Sequence, residues 1–313
     1  MEAAAILGME AILQVPRVLG LMDRDRRSRT YGCAERYYWH YRFHDFPNAR
    51  FQETAELLAL AFQFQHPRNP FHQQERVRDW ALAAERYWES ICRADGSFDE
   101  AYPFERSFCA TAFSTLHATE TLVVLGKEPL MDLSPIGRWL CRRDGLDTTN
   151  QRAASAAALA NLGTLLGIDR YLAAAASRAA DIRARQNRAG YFIEYGGEDV
   201  GYSSITLSAL ALYARRAGDR QFSDWVRSQA SALGSRLDKD GAYSYAEQSR
   251  STRFFYPFAL AWAGDESIHK ISMGVTSDRI LRPSWMDDRY AAPFAADYLR
   301  SAVELSSQSG AGR

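Results

Sequence analysis

A turn built from an acidic residue and a glycine recurs along this chain at nearly constant spacing. The marks are Asp95-Gly96-Ser97-Phe98, Asp144-Gly145, Ala189-Gly190-Tyr191-Phe192 and Asp240-Gly241-Ala242-Tyr243. Their glycines lie 49, 45 and 51 residues apart. The same step taken backwards reaches Asp45-Phe46-Pro47-Asn48, and taken forwards it reaches Asp287-Asp288-Arg289-Tyr290. A period in this range signals a repeated supersecondary unit that cannot bury its apolar face alone.

Each mark separates two helical stretches of different character. Before the second mark, Gln74–Cys92 places Val77, Trp80, Ala81, Ala84, Tyr87, Trp88 and Ile91 at helical spacing on a charged background. After it, Ser107–Leu125 is small and apolar on nearly every side. The same alternation pairs Glu2–Leu21 with Ala49–Phe64, Asp132–Cys141 with Ala153–Leu166, and Tyr171–Gln186 with Ser203–Ala214. It continues with Gln221–Leu237 and Arg253–Trp262, then Glu266–Gly274 and Tyr290–Leu305. An all-round apolar helix is buried, whereas a helix with a charged face lies at the surface. Two concentric rings satisfy both patterns, so the expectation is an all-α (α/α)6 toroid in a single domain, residues 1–305, with a frayed tail from 306 to 313. Closure is expected because the first and last units are aromatic-rich and lack a polar capping face. Strand signals are short and confined to turns such as Tyr191–Tyr195.

Composition narrows the partners. Lys+Arg and Asp+Glu balance at 38 each, which gives no electrostatic reason for nucleic acid or an anionic membrane. Lysine occurs only at Lys127, Lys239 and Lys270, so arginine carries the positive charge. Arginine's planar fork suits carboxylates. Cys33, Cys92, Cys109 and Cys141 form no CxxC pair, which argues against zinc and against a disulfide framework. No cofactor is implied. The start lacks the basic region of a signal peptide, and no run of about 18 uninterrupted apolar residues suggests a membrane span. A cytoplasmic protein with reduced thiols is expected.

In a ring, the residues that open each inner helix converge on one mouth. In order they are Asn48, Arg50 and Gln52; Glu105, Arg106 and Ser107; Asn150, Gln151 and Arg152; Glu198, Asp199 and Tyr202; Arg250, Ser251, Thr252 and Arg253; and Asp287, Asp288, Arg289 and Tyr290. Arginine in five of these sets, with six helix N-termini, favours an anionic ligand group. Tyr191, Tyr195, Tyr202, Tyr243, Tyr245 and Tyr256 cluster near the marks, and aromatic faces suit sugar rings. The expected binding set is Asn48, Arg50, Arg106, Arg152, Tyr195, Asp199, Arg250, Arg289 and Tyr256. Ordinary helix capping explains Asn48, Asn150, Thr252 and Asp288 equally well. The densest polar-aromatic segment is Tyr31–Asp45, where His40 and His44 have i,i+4 spacing but no third ligand. A histidine held by Asp45 could act there as acid or base.

The Asp95-Gly96-Ser97-Phe98 turn resembles those of helical toroids: terpenoid cyclases, glucuronyl C5-epimerases, and the heparinase and alginate-lyase group. The whole chain resembles a family associated with bacterial surface-polysaccharide gene clusters. That resemblance rests on Tyr38-Trp39-His40, Asp45-Phe46-Pro47-Asn48, Pro103-Phe104-Glu105-Arg106-Ser107-Phe108, Thr252-Arg253-Phe254-Phe255-Tyr256-Pro257 and Asp287-Asp288-Arg289-Tyr290. The toroid uronate lyases imply an Asn at the uronate carboxylate, a His or Tyr base, a Tyr acid and an Arg. Asn150, Tyr202 and Arg253 match by type, but Gln151 stands where a histidine is usual, leaving a tyrosine or His40 as base.

The leading expectation is therefore proton abstraction from a uronate-bearing glycan, by lyase or C5-epimerase chemistry. Asn150 with Arg152 or Arg253 would hold the carboxylate, and Tyr202 or His40 would move the proton. One alternative is a glycoside hydrolase using carboxylates among Glu105, Asp199 and Asp288. The other is a non-catalytic glycan-binding or assembly protein. An isoprenoid cyclase fits least, because no DxDD signature is present.

Overall fold

The computed structural model describes residues 2–145, 148–187 and 191–311, with side chains described as far as residue 308. The mark at Ala189-Gly190 lies outside the described residues. In chain order the helices are α1 (Glu2–Ile12), α2 (Val15–Leu21), α3 (Arg36–Trp39), α4 (Thr54–Gln63), α5 (Glu75–Ser90), α6 (Phe108–Leu125) and α7 (Ser134–Arg142). There follow α8 (Thr149–Leu166), α9 (Asp169–Ala184), α10 (Val200–Ala217), α11 (Arg220–Gly234), α12 (Phe258–Ala263), α13 (Ser267–Thr276) and α14 (Asp288–Ala311). A 3-10 turn, Ala49–Glu53, leads into α4.

Among the described residues α4, α6, α8, α10, α12 and α14 pack side by side in that order, and α14 packs back on α4. The ring is closed. Outside it, α5 bridges α4 and α6, α7 bridges α6 and α8, α9 bridges α8 and α10, and α11 bridges α10 and α12. Next, α13 packs on α12 and α1, and α1 packs on α14. Sequence pattern explains the layering. On α5, Val77, Ala81, Ala84 and Trp88 are buried while Glu75, Arg76 and Arg86 face solvent. On α8, the run Ala153–Gly163 is buried throughout, because alanines let neighbouring backbones approach on every side.

Glycines punctuate both ends of the units. The inner helices α6, α8, α10 and α12 end in left-handed Gly126, Gly167, Gly218 and Gly264, the usual residue for that cap. At the marks, Gly96 and Gly241 have φ of 91° and 75°. A Cβ there would lie 2.2 Å from the Pro135 carbonyl oxygen and 2.3 Å from that of Lys270. At these two marks the turn touches the backbone of the next outer helix, α7 or α13, and only glycine fits.

Several expected boundaries shift. Glu2–Leu21 is two helices, because Pro16 in the first turn of α2 has no N–H to continue α1. Helix α12 begins at Phe258 rather than Arg253. Pro257 biases Tyr256 to extended backbone, and the segment's polar groups find partners outside any helix. Tyr243 Oη donates to the carbonyls of Thr252 (3.1 Å) and Phe254 (2.7 Å), and Tyr256 N donates to Ser204 Oγ (2.8 Å). Helix α14 runs through Ser306 to Ala311. Tyr191–Tyr195 forms only isolated bridges, from Glu194 to Thr148 and Gly197. By length and hydropathy, Glu2–Leu21 and Phe108–Leu125 could each cross a membrane, although 72% of the second is buried in the ring.

Helix α5 carries one conspicuous cost. Glu85 is 3% exposed and neither carboxylate oxygen has a hydrogen-bond partner. Burial, then the nearby Glu89, pushes its carboxyl well above the ordinary range. The folded state therefore binds a proton that the unfolded chain releases, so this group's stabilising effect is full below the unfolded pKa, about 4.3, and is lost as pH rises. Glu85→Gln is expected to raise the melting temperature by a few degrees at about pH 8. The gain should shrink on acidification, and thermal scans across pH check it.

Candidate active site at the ring axis

A cavity of about 310 Å³ opens at the end of the ring where the inner helices begin. All six units contribute to its lining. Arg50 comes from the turn before α4, Cys109, Phe113 and His117 from α6, and Asn150 from the first turn of α8. Tyr195 comes from the loop before α10 and Tyr202 from its first turn, Arg250, Phe254 and Tyr256 from the segment before α12, Met286 from the loop before α14, and Tyr290 and Pro293 from the start of α14. A narrow extension runs on past His117 to Asp297 and Arg300.

Of the residues expected from sequence, the structure brings together Arg50, Asn150, Tyr195, Tyr202, Arg250 and Tyr256. Asn150 is 3% exposed and its Nδ2 donates to Glu194 at 2.7 Å. The Tyr202 ring stands edge-on to that of Tyr195, 5.0 Å between centroids, and burial holds the Tyr202 phenol well above its ordinary value. Arg250 lies 4.7 Å over the Tyr195 ring and forms no ion pair among the described residues.

The other expected residues do not line the cavity. Asn48 caps the Ala49–Glu53 turn, accepting from Arg50 N at 2.9 Å. Asp199 caps α10, accepting from Tyr202 N at 3.0 Å, and also takes the Thr252 hydroxyl. Glu105 is exposed, its carboxylate accepting from the backbone N–H groups of Glu100, Ala101 and Tyr102. Arg106 turns to Asp95 at 3.3 Å, and Arg289 pairs with Glu100. Asp288 pairs with Arg17 of α2 at 2.8 Å. Arg152 points outward to Asp144 (2.8 Å) and Asp181, bordering a groove of about 530 Å³ shared with α9. Arg253 is exposed, 5.2 Å over the Tyr245 ring. His40 is exposed on the rim, edge-on to Trp39 and Tyr41. Asp45 is not seen to hold a histidine; His44 instead lies 3.9 Å from Glu35.

Sequence reasoning missed the charged floor. His117, 6% exposed, borders both the cavity and its extension. Its Nδ1 lies 2.5 Å from Glu56 Oε2, and its Nε2 is 3.9 Å from Glu53. Arg300 Nε donates to Glu56 at 3.1 Å and its Nη1 to Asp297 at 3.2 Å. Glu53 in turn holds Arg50, 3.2 Å to Nη2, while Arg50 Nη1 lies 3.2 Å from Cys109 Sγ. Burial raises Glu56, but Arg300 and His117 outweigh it and hold the carboxyl below its ordinary value. Asp297 is pushed up by burial to about 6, opposed by Arg300. Behind Asn150, burial takes Glu194 up to about 7 against the Thr206 and Asn150 hydrogen bonds.

No family model matches the chain, and no curated protein matches it by sequence. Solved structures do match. An unsaturated glucuronyl hydrolase specific for heparin superposes with a TM-score of 0.63 at 11% identity, covering 98% of each chain. A family 76 glycoside hydrolase (mannosidase) from Bacteroides thetaiotaomicron gives 0.54 at 11% identity, covering 99% of this chain and 100% of that one. A type II terpene cyclase from Scytonema, in complex with merosterolic acid A, gives 0.52 at 12% identity over 97% and 98%. The chain is an (α/α) toroid.

The toroid's mouth loops are under backbone strain. Left-handed, non-glycine residues among those described are Arg42, Phe104, Arg106, Tyr195, Ser251 and Asp278 on the mouth loops, with Gln73 alone elsewhere. Each costs about 1 kcal/mol or more. Such residues concentrate where loop shape serves a site. Chemically, the cavity offers an unpaired guanidinium, an amide, tyrosine hydroxyls that keep their protons, and an imidazole anchored on a carboxylate. Its lining carries no carboxylate among the described residues, except Asp297 in the narrow extension.

Proposed function

We propose that the toroid is a carbohydrate-active enzyme that binds an acidic sugar in the axial cavity and removes the proton beside its carboxylate. The observation that carries the reading is His117, fixed by Glu56 and bordering a cavity that also holds Arg250, Asn150 and Tyr202. Glu56 is held ionised and accepts from His117 Nδ1, and proton abstraction is assigned to Nε2, which lies 3.9 Å from Glu53. Arg250 and Asn150 bind the sugar carboxylate and stabilise the enolate-like charge as the C5 proton leaves. Tyr202, which keeps its proton, supplies it to the departing C4 oxygen in elimination, or to the opposite face of C5 in epimerisation. His117 replaces the exposed His40 in this role, and Arg250 replaces Arg152 and Arg253. The sugar ligand is supported by two structural likenesses whose names are those of glycan-acting enzymes.

A hydrolase reading is favoured by the same two likenesses. It lacks its expected carboxylates, since Glu105, Asp199 and Asp288 are engaged away from the cavity, and it rests on Asp297. A panel of uronate-bearing glycans separates the readings. Ultraviolet absorbance from a new conjugated double bond, or deuterium uptake from solvent at C5, supports proton abstraction. New reducing ends without either signal support hydrolysis. Binding without any of the three supports a non-catalytic protein and overturns the proposal.

A further inference from the structure

The aromatic segment Tyr31–Asp45 contributes nothing to the axial cavity. Its rings stand in solvent: Tyr37 is 38%, Tyr41 49% and Phe43 73% exposed. Phe43 stacks 6.2 Å from Tyr37 and 5.6 Å from Tyr41. The segment is pinned from behind. Phe43 N donates to the Tyr37 carbonyl (2.9 Å), Trp39 Nε1 to the Leu21 carbonyl (2.8 Å) and Arg36 Nη1 to the Gly20 carbonyl (2.9 Å). A second loop presents Tyr102 and Phe104, 70% and 74% exposed, with Arg93 lying 4.3 Å over Phe104. Both loops are tied to one corner of the mouth. Glu35 accepts from Asn48 N at 2.7 Å and the Asp99 carbonyl from Ala49 N at 3.1 Å; the next residue, Arg50, lines the cavity.

We infer that these rim rings form a second saccharide-binding site, which takes the sugars that follow the one in the cavity. The inference rests on the proposed function and names its substrate as an acidic oligosaccharide rather than a free sugar. A cavity of about 310 Å³ is at the small end for ligand sites, so a longer chain leaves through the mouth and crosses the rim. Exposed rings held rigid meet sugar faces at little entropic cost. The charge also fits an acidic chain. Arg36 and Arg42 form no ion pair among the described residues, and Asp45 is the one carboxylate between residues 36 and 45. An apolar partner surface would have to strip water from both guanidiniums.

Calorimetric binding of disaccharides and hexasaccharides of galacturonate, hyaluronan and heparin tests this without any turnover. The full chain is expected to bind at least one hexasaccharide about tenfold or more tighter than its disaccharide. Tyr41→Ala and Phe43→Ala should each reduce that advantage by roughly two- to tenfold, and Phe43→Tyr should preserve it. No length advantage in the unaltered chain, or an equal loss for both lengths, overturns the inference. So does a dimer in sedimentation that Phe43→Ala converts to monomer, which would make the patch a contact between copies. Length-dependent binding that falls in the ring variants, with no turnover of any glycan, would refute the proton-abstraction chemistry and leave the rim site standing.

Discussion

His117→Gln is expected to lower turnover of an acidic glycan by about a hundred- to ten-thousandfold, the range removed with a positioned general base. Glutamine can still donate an N–H to Glu56, the contact His117 makes at 2.5 Å, so the floor of the ring keeps its hydrogen bond. Loss of turnover with an unchanged melting temperature and substrate affinity therefore assigns the effect to proton transfer. Retention of more than about a tenth of the activity would remove His117 from the mechanism.

Arg300→Met is expected to be the most damaging single change to stability. It leaves Glu56, 0% exposed, and Asp297, 2% exposed, without their shared cation, at a cost of about 3–5 kcal/mol. The pH dependence has a definite sign. In the intact protein Glu56 is held below its ordinary value, so its contribution is present above the unfolded pKa and lost on acidification. Without Arg300 both carboxylates move upward, so the variant now loses stability as pH rises. For Asp297, which titrates at about 6 in the parent, the gap should open as pH rises through that value, reach its widest above the raised values the carboxylates take without Arg300, and narrow toward acid. Urea unfolding at several pH values measures it; a gap that does not vary with pH would show that Arg300 acts through packing alone.

The ring was legible because its two signals are independent of each other. Apolar helices alternated with one-faced helices, and acidic-glycine turns recurred between them. A third signal went unread: Gly126, Gly167, Gly218 and Gly264 end successive inner helices at the far rim. What sequence did not resolve is the direction in which each helix start faces. A helix turns by about 100° per residue. Asn150 therefore faces the axis while Arg152, two residues on, points outward to Asp144 and Asp181. The same ambiguity sent Asp288 to Arg17 and left Tyr290 in the lining.

The charged floor did have a readable signature. Cys109, Phe113 and His117 recur at four-residue spacing on α6, and Tyr290, Pro293, Asp297 and Arg300 recur at three and four on α14. Ionisable residues on such a stripe of a buried helix are costly unless paired. Their presence in otherwise apolar helices marks the axis more reliably than polar helix starts, which capping alone explains.

A crystal structure with a soaked uronate decides whether the axial cavity is the binding site. The sugar is expected in the axial cavity, with its carboxylate on Arg250 and Asn150 and its C5 within reach of His117 Nε2. A sugar bound instead in the outer groove beside Arg152 and Arg185, with the axial cavity empty at saturating ligand, would contradict it.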